Sequence, residues 1–309
     1  MRWRFILVPA FLAGLGAVPL VLAADNADPY DQSDVPIEVQ PTNPSDAKIV
    51  LVAGHPSHGP GEHEFFAGCS LLMKLLRETP HVAPVMARDG WPKDPKTFEN
   101  AKAVVFYMDG GGGHPIIQDH HLDTLEKVLD TGAGFCCLHY AVEFPKQYAD
   151  RILPLLGGYY ETGYSINPTW DAHIKSLPDH PITRGVKPFT IVDEWYYNIR
   201  FAPDMKNVTP ILRATPPDST RGTPAAREHP GREETLAWAF ERANGGRSFG
   251  FDGAHYHKNW GNEDFRRLVV NAILWAAKIE VPEHGAKVDL DPAELHKHLD
   301  RKGGPKKSR

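Results

Sequence analysis

The sequence predicts an α/β fold in which mostly parallel strands, joined by crossover helices, are extended by antiparallel strands. Two observations support this prediction. From Lys48 onward, short apolar runs alternate with stretches whose apolar residues have helical spacing, a pattern typical of parallel sheets. Beyond Gly157 the apolar runs carry more polar alternation, which favours an antiparallel extension.

The first half of the fold can be predicted element by element. The expected order is strand 48–53, helix 62–78, strand 82–86, strand 103–108, helix 118–131 and strand 134–138. The strands are short runs of valine, isoleucine, phenylalanine and other apolar residues, as buried strands are. The first helix has its leucines on one face, which predicts that this face packs on the sheet.

The second half contains more strands. Strands are expected at 172–177, 189–201, 209–213, 234–241 and 249–251, followed by a final helix over 262–278. The segment 214–232 is rich in Pro, Arg, Thr and Gly, which predicts a mobile excursion between two strands.

The two ends of the sequence have their own compositions. Arg2 and Arg4 precede an apolar run that ends in small residues before Asp25, which predicts a secretory signal peptide over residues 1–24, with an uncleaved anchor as the alternative. The remaining segments are predicted as a flexible leader (25–47), one domain (48–282) and a basic, disordered tail (283–309). We therefore expect a secreted or periplasmic protein without stable membrane association after cleavage.

Charge and cysteine content exclude some classes of protein. The formal net charge is -5, whereas nucleic-acid-binding proteins usually carry an excess of basic residues. Three cysteines, Cys69, Cys136 and Cys137, do not make a disulfide framework and are expected to be buried.

Histidines follow four of the predicted strands. They are His55, His114, His139 and His255. Since ligands of open α/β sheets bind beyond the carboxyl ends of the strands, these side chains are expected to converge at one crevice. Imidazole suits such a site because it transfers protons near neutral pH and binds metals.

The loop after the first strand is the densest candidate segment. It holds His55, His58 and His63 together with Glu62 and Glu64. Loops at this edge of a sheet commonly form sites, which favours a functional role. The alternative is a solvated loop whose carboxylates favour the N-terminus of the following helix.

A run of four glycines follows Asp109 and ends at His114. Without an adjacent Lys-Ser/Thr pair, nucleotide binding is disfavoured, and we expect a loop that lets Asp109 and His114 face the crevice. A merely flexible turn is the alternative.

The strand 134–138 could run into a nucleophile elbow, with Cys137 as the nucleophile. However, Cys137 lies inside the apolar run, whereas His139 falls where the turn is expected. We therefore favour His139 as the exposed residue.

Acidic and aromatic residues cluster twice in the second half, around Glu194 and Trp195 and again near Trp260. Such aromatic faces beside polar groups suit a sugar. Packing within the sheet is the alternative, and for Tyr196 and Tyr197 it is equally favoured.

Several separated motifs resemble one family. They are Gly-His-x-x-His-Gly-Pro-Gly-Glu-His-Glu-Phe-Phe at 54–66, the glycine loop after Asp109, Gly-Phe-x-x-Leu-His at 134–139, Asp-Glu-Trp-Tyr at 193–196 and the stretch 252–260. The chain resembles the ThuA-like (trehalose utilisation) family from about Lys48 to Lys278. The resemblance implies a doubly wound, flavodoxin-like sheet similar to that of class I glutamine amidotransferases. It also implies that His139 stands at the amidotransferase cysteine position, so a glutaminase is not expected.

The resemblance also implies a small-molecule carbohydrate substrate, because family members are associated with disaccharide breakdown, including routes through 3-keto sugars. A ketone acidifies the neighbouring C–H, so an acid and a base could drive hydrolysis, elimination or isomerisation. In a second form of this hypothesis, the enzyme uses a divalent metal such as zinc to polarise the ketone, with His55, His139 and His255 as candidate ligands. The alternatives are a non-catalytic carbohydrate-binding or scaffold protein and a hydrolase with Cys137 as nucleophile.

Roles for individual residues follow from this interpretation. The predicted catalytic residues are His139, His55, Asp109 and His255. The predicted substrate-binding residues are His63, Glu62, His114, Trp195, Trp260 and Glu194.

Overall fold

A computed structural model describes residues 28–303, so the predicted signal segment over 1–24 lies outside the described residues. The strands are β1 (Ala47–Ala53), β2 (Val82–Ala87), β3 (Ala103–Tyr107), β4 (Gly134–Leu138), β5 (Gly158–Tyr159), β6 (Thr169–Ile174), β7 (Phe189–Glu194), β8 (Arg200–Phe201), β9 (Val208–Ala214), β10 (Glu234–Glu241) and β11 (Arg247–Phe251). The helices are α1 (Phe65–Leu76), α2 (His121–Asp130), α3 (Ala149–Leu156), α4 (Pro224–Arg227) and α5 (Glu263–Ala276). Within the described range, no helix combines the length and the apolarity that crossing a membrane requires.

The central sheet has seven strands in the order β2-β1-β3-β4-β11-β10-β9. The first five strands are parallel, whereas β10 runs antiparallel to both of its neighbours. The predicted fold class, a mostly parallel sheet with an antiparallel extension, is therefore confirmed. The strand expected over 189–201 is two strands, β7 and β8, which belong to separate two-stranded sheets with β6 and β5.

Both faces of the central sheet are buried. Successive side chains of a strand point to opposite faces. In β1, Ile49 and Leu51 join the core beneath α1 and α5, whereas Val50 and Val52 join the core beneath α2 and α3. The sheet is therefore doubly wound, which explains why its strands are almost continuously apolar.

The register of the parallel strands brings four strand ends level with one another. Ala53 lies beside Tyr107, Tyr107 beside Leu138, and Leu138 beside Phe251. These residues end β1, β3, β4 and β11, so the loops that follow all emerge at one edge of the sheet. A crevice at such an edge is where open α/β sheets bind ligands.

Two helices begin later than their apolar patterns indicate. Helix α1 begins at Phe65 rather than at residue 62, because His63 has a left-handed backbone with φ of 46°. Helix α2 begins at His121 after His120, whose φ is 65°. In both places a left-handed residue, which a regular helix does not contain, separates the loop from the helix.

The flexible leader predicted for 25–47 is wrong for the part that the structure describes. Ile37 pairs with Met86 at the sheet edge, and the Glu38 carboxylate accepts hydrogen bonds from the backbone amides of Lys93 and Asp94 at 2.8 and 2.7 Å. These contacts hold the segment against the domain despite its polar composition.

The disordered tail predicted for 283–309 is likewise wrong for residues 283–303. Val288 is buried in the core shared with α5, and the Leu299 amide donates to the Pro29 carbonyl at 2.9 Å. The charged residues of this segment find partners on the domain, which composition alone does not reveal. Residues 304–309 lie outside the described range.

The excursion over 214–232 is also held in place, contrary to the prediction of a mobile segment. It contains α4 and the guanidinium of Arg221, which is buried and donates to the Glu234 carboxylate at 2.7 Å and to the Arg232 carbonyl at 2.9 Å. A buried ion pair with additional hydrogen bonds restrains the loop strongly, because separating its charges inside the protein is costly.

Candidate functional site

Four ionisable side chains converge at the edge of the sheet where β1, β3, β4 and β11 end. They are His63, His139, His255 and Glu194, which we call the histidine cluster. Three ring nitrogens form a near-equilateral triangle, with His63 Nε2 3.1 Å from His139 Nε2 and 3.0 Å from His255 Nδ1, and the last two 3.2 Å apart. Glu194 Oε2 lies 3.2 Å from His255 Nδ1 and 3.5 Å from His139 Nε2.

Each member of the histidine cluster comes from a different loop or strand end. His63 lies in the loop between β1 and α1, His139 directly follows β4, and His255 lies four residues beyond β11. Glu194 is the last residue of β7, so the small β6–β7 sheet supplies the carboxylate. The three histidine side chains are almost completely buried, whereas Glu194 retains 20% of its side-chain exposure.

Two outer hydrogen bonds determine which ring nitrogen carries hydrogen. His139 Nδ1 lies 3.0 Å from the Asp252 carbonyl oxygen, which only accepts, so Nδ1 donates and, in the neutral ring, Nε2 presents a lone pair to the cluster. His63 Nδ1 likewise donates to Asp109 Oδ1 at 2.9 Å. Two nitrogen lone pairs therefore face each other across 3.1 Å between His63 and His139.

The environment changes the pKa values of three members of the histidine cluster in different ways. Burial lowers the pKa of His63 to about 3, so this imidazole is neutral at neutral pH. Burial also disfavours ionisation of Glu194, but the hydrogen bonds and the positive charges that His139 and His255 supply when protonated outweigh it and lower the pKa of the carboxyl to about 2. Burial lowers the pKa of His255, whereas the hydrogen bond and charge of Glu194 raise it, and the net pKa is raised.

A buried carboxylate holds the loop that carries His255. The Asp193 carboxylate accepts from the amides of Ala254 at 2.7 Å and His255 at 3.1 Å. The Tyr107 hydroxyl donates to the Ala254 carbonyl. Asp193 stands among acidic and aromatic neighbours in the sequence, and no local pattern signals this positioning role.

Backbone strain coincides with the histidine cluster. The φ angles of His63, His139 and Ala254 are 46°, 54° and 84°. Left-handed backbone costs a non-glycine residue about 1–3 kcal/mol and persists where the surrounding contacts over-determine it. His139 lies at the turn directly after β4, as expected, but its side chain is completely buried, so the prediction that it is exposed is wrong.

Further polar groups surround the histidine cluster. The ring of His58 lies over that of His63 with centroids 3.6 Å apart, and Ser57 Oγ lies 3.0 Å from Asp109 Oδ1. The Tyr196 hydroxyl lies 3.4 Å from His139 Nε2. For Tyr196 the aromatic pattern did not decide between packing and function, and its position serves both.

Of the residues that the sequence analysis proposed, six lie in or beside the histidine cluster. They are His63, His139, His255, Glu194, Asp109 and Glu62. Glu62 is the most distant of these, with Oε1 3.8 Å from His255 Nε2.

His55 is not part of this arrangement. Its side chain is 70% exposed and its Nδ1 lies 3.6 Å from Asp89 Oδ1. The position at the crevice expected for His55 is instead occupied by His63, which has a left-handed backbone and whose amide donates to the His255 carbonyl.

Three other proposed substrate-binding residues are core residues, because their side chains are completely buried. His114 accepts from the Ile116 amide at 3.2 Å through Nδ1 and donates to the Ala141 carbonyl at 3.0 Å through Nε2, so both ring nitrogens serve the loop. Trp195 and Trp260 are also completely buried, and both rings pack at angles against Phe265.

Cys137 is not placed to act as a nucleophile. It lies within β4, beside Phe106 and Gly250 of the neighbouring strands, and is completely buried. Burial raises the pKa of its thiol well above the ordinary value, so the reactive thiolate is disfavoured.

Comparison with known proteins gives consistent matches. A family model described as ThuA, trehalose utilisation, matches residues 50–276. Among solved structures, a protein from Bacteroides uniformis described as ThuA-like has a TM-score of 0.55 at 14% identity, covering 77% of this chain and 94% of its own. A ThuA-like protein from Parabacteroides merdae has a TM-score of 0.55 at 16% identity, covering 82% and 99%. At these identities the two structures show a shared fold, and the comparison with curated proteins gave no match.

The buried His114 predicts a specific dependence of stability on pH. Burial lowers its pKa from 6.5 to about 4. Above pH 6.5 the folded and unfolded chains both hold it neutral, but at lower pH only the unfolded chain gains the proton, so stability falls. By pH 4 this loss is roughly 3 kcal/mol. Urea unfolding at pH 7 and pH 4 should show a loss larger by this amount in the wild type than in His114→Gln, and equal losses would contradict the assignment.

Proposed function

This chain belongs to the ThuA family, and from that premise we propose that it is a metal-dependent enzyme acting on a carbohydrate that carries a ketone. The family description, trehalose utilisation, suggests a disaccharide-related substrate. The proposed metal centre is the histidine cluster, with His63, His139, His255 and Glu194 as ligands of one divalent cation.

One observation carries the metal assignment. The lone pairs of His63 Nε2 and His139 Nε2 face each other at 3.1 Å while the opposite nitrogen of each ring already donates a hydrogen bond. Two buried acceptors at this distance repel unless a cation lies between them. Outer partners of the kind seen here, a carboxylate on one histidine and a backbone carbonyl on another, are typical of metal-binding histidines.

The dimensions of the histidine cluster fit a tetrahedral ion. Ligands at the usual zinc distances of about 2.0–2.1 Å are about 3.3 Å from one another in a tetrahedron. Five of the six separations among the four ligand atoms are 3.0–3.5 Å. The sixth, between His63 and Glu194, is longer, and all four atoms lie within 4.8 Å of one another. Three imidazoles and one carboxylate favour zinc among the divalent metals, since magnesium and calcium prefer oxygen ligands.

Glu194 is the ligand best placed to exchange with substrate. Its side chain is partly exposed, and its Oε2 lies 3.5 Å from His139 Nε2, farther than the ring nitrogens lie from one another. We infer that Glu194 is the ligand that would give up its position when substrate binds. A catalytic zinc site keeps such an exchangeable position, whereas a structural site is closed by four protein ligands.

The chemistry follows from polarising the ketone. A bound divalent cation would supply a Lewis acid that acidifies the C–H beside the ketone. The Glu194 carboxylate would accept the proton of that C–H, and the electron pair would move onto the ketone oxygen as an enolate, to which the Tyr196 hydroxyl would donate a hydrogen bond. Collapse of the enolate breaks the glycosidic C–O bond on the next carbon, and the departing oxygen takes up the proton, giving an enone and a free alcohol.

Metal content tests the proposed centre directly. We expect purified protein incubated with zinc and then desalted to hold about one zinc per chain by elemental analysis, as a single four-ligand site requires. His63→Ala and His139→Ala each remove a ligand and should lose the metal. His55→Ala, which alters an exposed histidine of the same loop, should retain it. A wild type without bound zinc would contradict the proposal.

The outer carboxylate provides a second test. Asp109→Asn keeps the size of the side chain but replaces the charged acceptor of His63 Nδ1, so the affinity for zinc should fall about 10–100-fold. Titration against a chromophoric chelator measures this change. Asp89→Asn is the matched control, because Asp89 contacts His55 outside the histidine cluster. Equal losses in the two variants would count against a specific role for Asp109.

Turnover tests the substrate and the mechanism. The zinc-loaded protein should convert a 3-keto glucoside to an enone and alcohol, detected by ultraviolet absorbance and NMR, and should leave the unoxidised glucoside intact. Glu194→Gln should lower kcat by about 100-fold or more because the base is lost. Cys137→Ala should remain active. Binding of both sugars without product would indicate a carbohydrate-binding protein instead, and binding of neither would reject the substrate class.

A further inference from the structure

We propose that residues 298–302, which we call the C-terminal strap, hold the loop of His63 in its ligand geometry, and that Lys302 is the positioning residue within it. This inference rests on the proposed metal centre, because it concerns one ligand of that centre. Composition predicts that this part of the chain is disordered, yet the side chain of its lysine is 3% exposed.

Lys302 binds three acceptors of one short loop. Its ammonium lies 3.3 Å from the Gly59 carbonyl oxygen and 3.3 Å from Glu64 Oε1, and it also donates to the Glu62 carbonyl. The Lys302 side chain is 3% exposed. An ammonium has three hydrogens to donate, and here all three have partners on the loop over residues 59–64.

The Glu64 carboxylate connects the loop to the strap a second time. Glu64 Oε1 accepts from the Gly61 amide at 2.8 Å, and Oε2 accepts from the Asp300 amide at 2.8 Å. This carboxylate is almost completely buried, so its charge depends on the Lys302 ammonium and these amides for stabilisation.

These contacts lie on both sides of the strained ligand. Lys302 binds the carbonyl of Glu62, directly before His63, and the side chain of Glu64, directly after it. His63 itself has a φ of 46°, a conformation that needs support from its surroundings. On the sheet side, the His63 amide donates to the His255 carbonyl at 2.9 Å. The loop is therefore held between the strap and a second ligand of the proposed centre.

The strap is itself anchored to the N-terminal segment and to α1. Gln32 Nε2 donates to the carbonyls of His298 and Leu299 at 3.0 and 3.2 Å and to Asp300 Oδ1 at 3.2 Å. His298 Nδ1 lies 2.8 Å from the Ser70 hydroxyl on α1. The strap and Gln32 both lie outside residues 50–276, the range that the family model matches. Terminal segments beyond the matched domain thus support the geometry of a ligand within it.

Thermodynamic coupling makes the role of the strap measurable. If the strap stabilises the loop conformation that binds metal, it raises the affinity for metal, and metal binding must stabilise the docked strap by the same free energy. A lysine with a purely structural role would change the stability of the whole fold, but it would not link metal affinity to docking of the strap.

The test compares zinc affinities in the full-length protein. Lys302→Met keeps the aliphatic stem and removes the charge, and we expect zinc to bind about 10–100-fold more weakly, as when other supporting residues of metal ligands are lost. The control is Lys297→Met, whose ammonium pairs with Glu294 and is half-exposed, and its affinity should not change. Hydrogen exchange of the metal-free Lys302→Met variant should increase over residues 59–64 and 299–302 more than in the sheet.

The outcomes separate this proposal from the one on which it rests. A wild type that binds no zinc would overturn both. A wild type that binds zinc with the same affinity as Lys302→Met would overturn the strap proposal alone, as would exchange that increases uniformly across the fold. If Lys302→Met does not fold, the wild type alone tests the proposal. Adding zinc to the wild type should slow hydrogen exchange of the amides over 299–302. Exchange that zinc leaves unchanged would overturn the proposal.

Discussion

The structure depends on the backbone register that sets the carboxyl ends of four parallel strands level. Ala53, Tyr107, Leu138 and Phe251 lie side by side, and the hydrogen bonds of the sheet leave little freedom to shift any one of them. A shift of a single residue would also turn apolar side chains from one buried face to the other. The loops after these strands therefore start from a rigid line, and side chains separated by up to 192 residues along the chain can meet within hydrogen-bonding distance.

On this rigid base, the histidine cluster is built from strained backbone that other residues hold in place. His139 makes a left-handed turn directly after β4 and is restrained by the Asp252 carbonyl. The His255 loop is restrained by Asp193, and the His63 ring by Asp109. Each of the three histidines has its own outer partner, so the arrangement of the ring nitrogens does not rely on attraction among them. Such pre-organisation suits metal binding, because the cost of bringing the ligands together is met during folding.

Sequence patterns predicted the fold more fully than the candidate site. Strand β4 was predicted with its observed bounds because a short apolar run between glycine and histidine has one simple interpretation. His139 and His255 were placed at the crevice because they follow strands closely. His55 was preferred to His63 for the same reason, but it is exposed, since proximity to a strand end does not reveal which way a long loop folds. The contacts that bury His114 against Ala141 and Ile116 involve separate segments and have no local signature.

By itself, the sequence determined the α/β class, the alternation of strands and helices, the family and the edge of the sheet at which polar residues gather. These properties follow from hydrophobic periodicity and from motifs, which act over short distances along the chain. Only the tertiary structure decided that His63, His139, His255 and Glu194 form one cluster, that Trp195 and Trp260 belong to the core, and that residues up to Lys302 pack against the domain. The physical reason is that these outcomes depend on contacts between distant segments. Such contacts are set by strand register, left-handed turns and buried ion pairs rather than by the composition of any one segment.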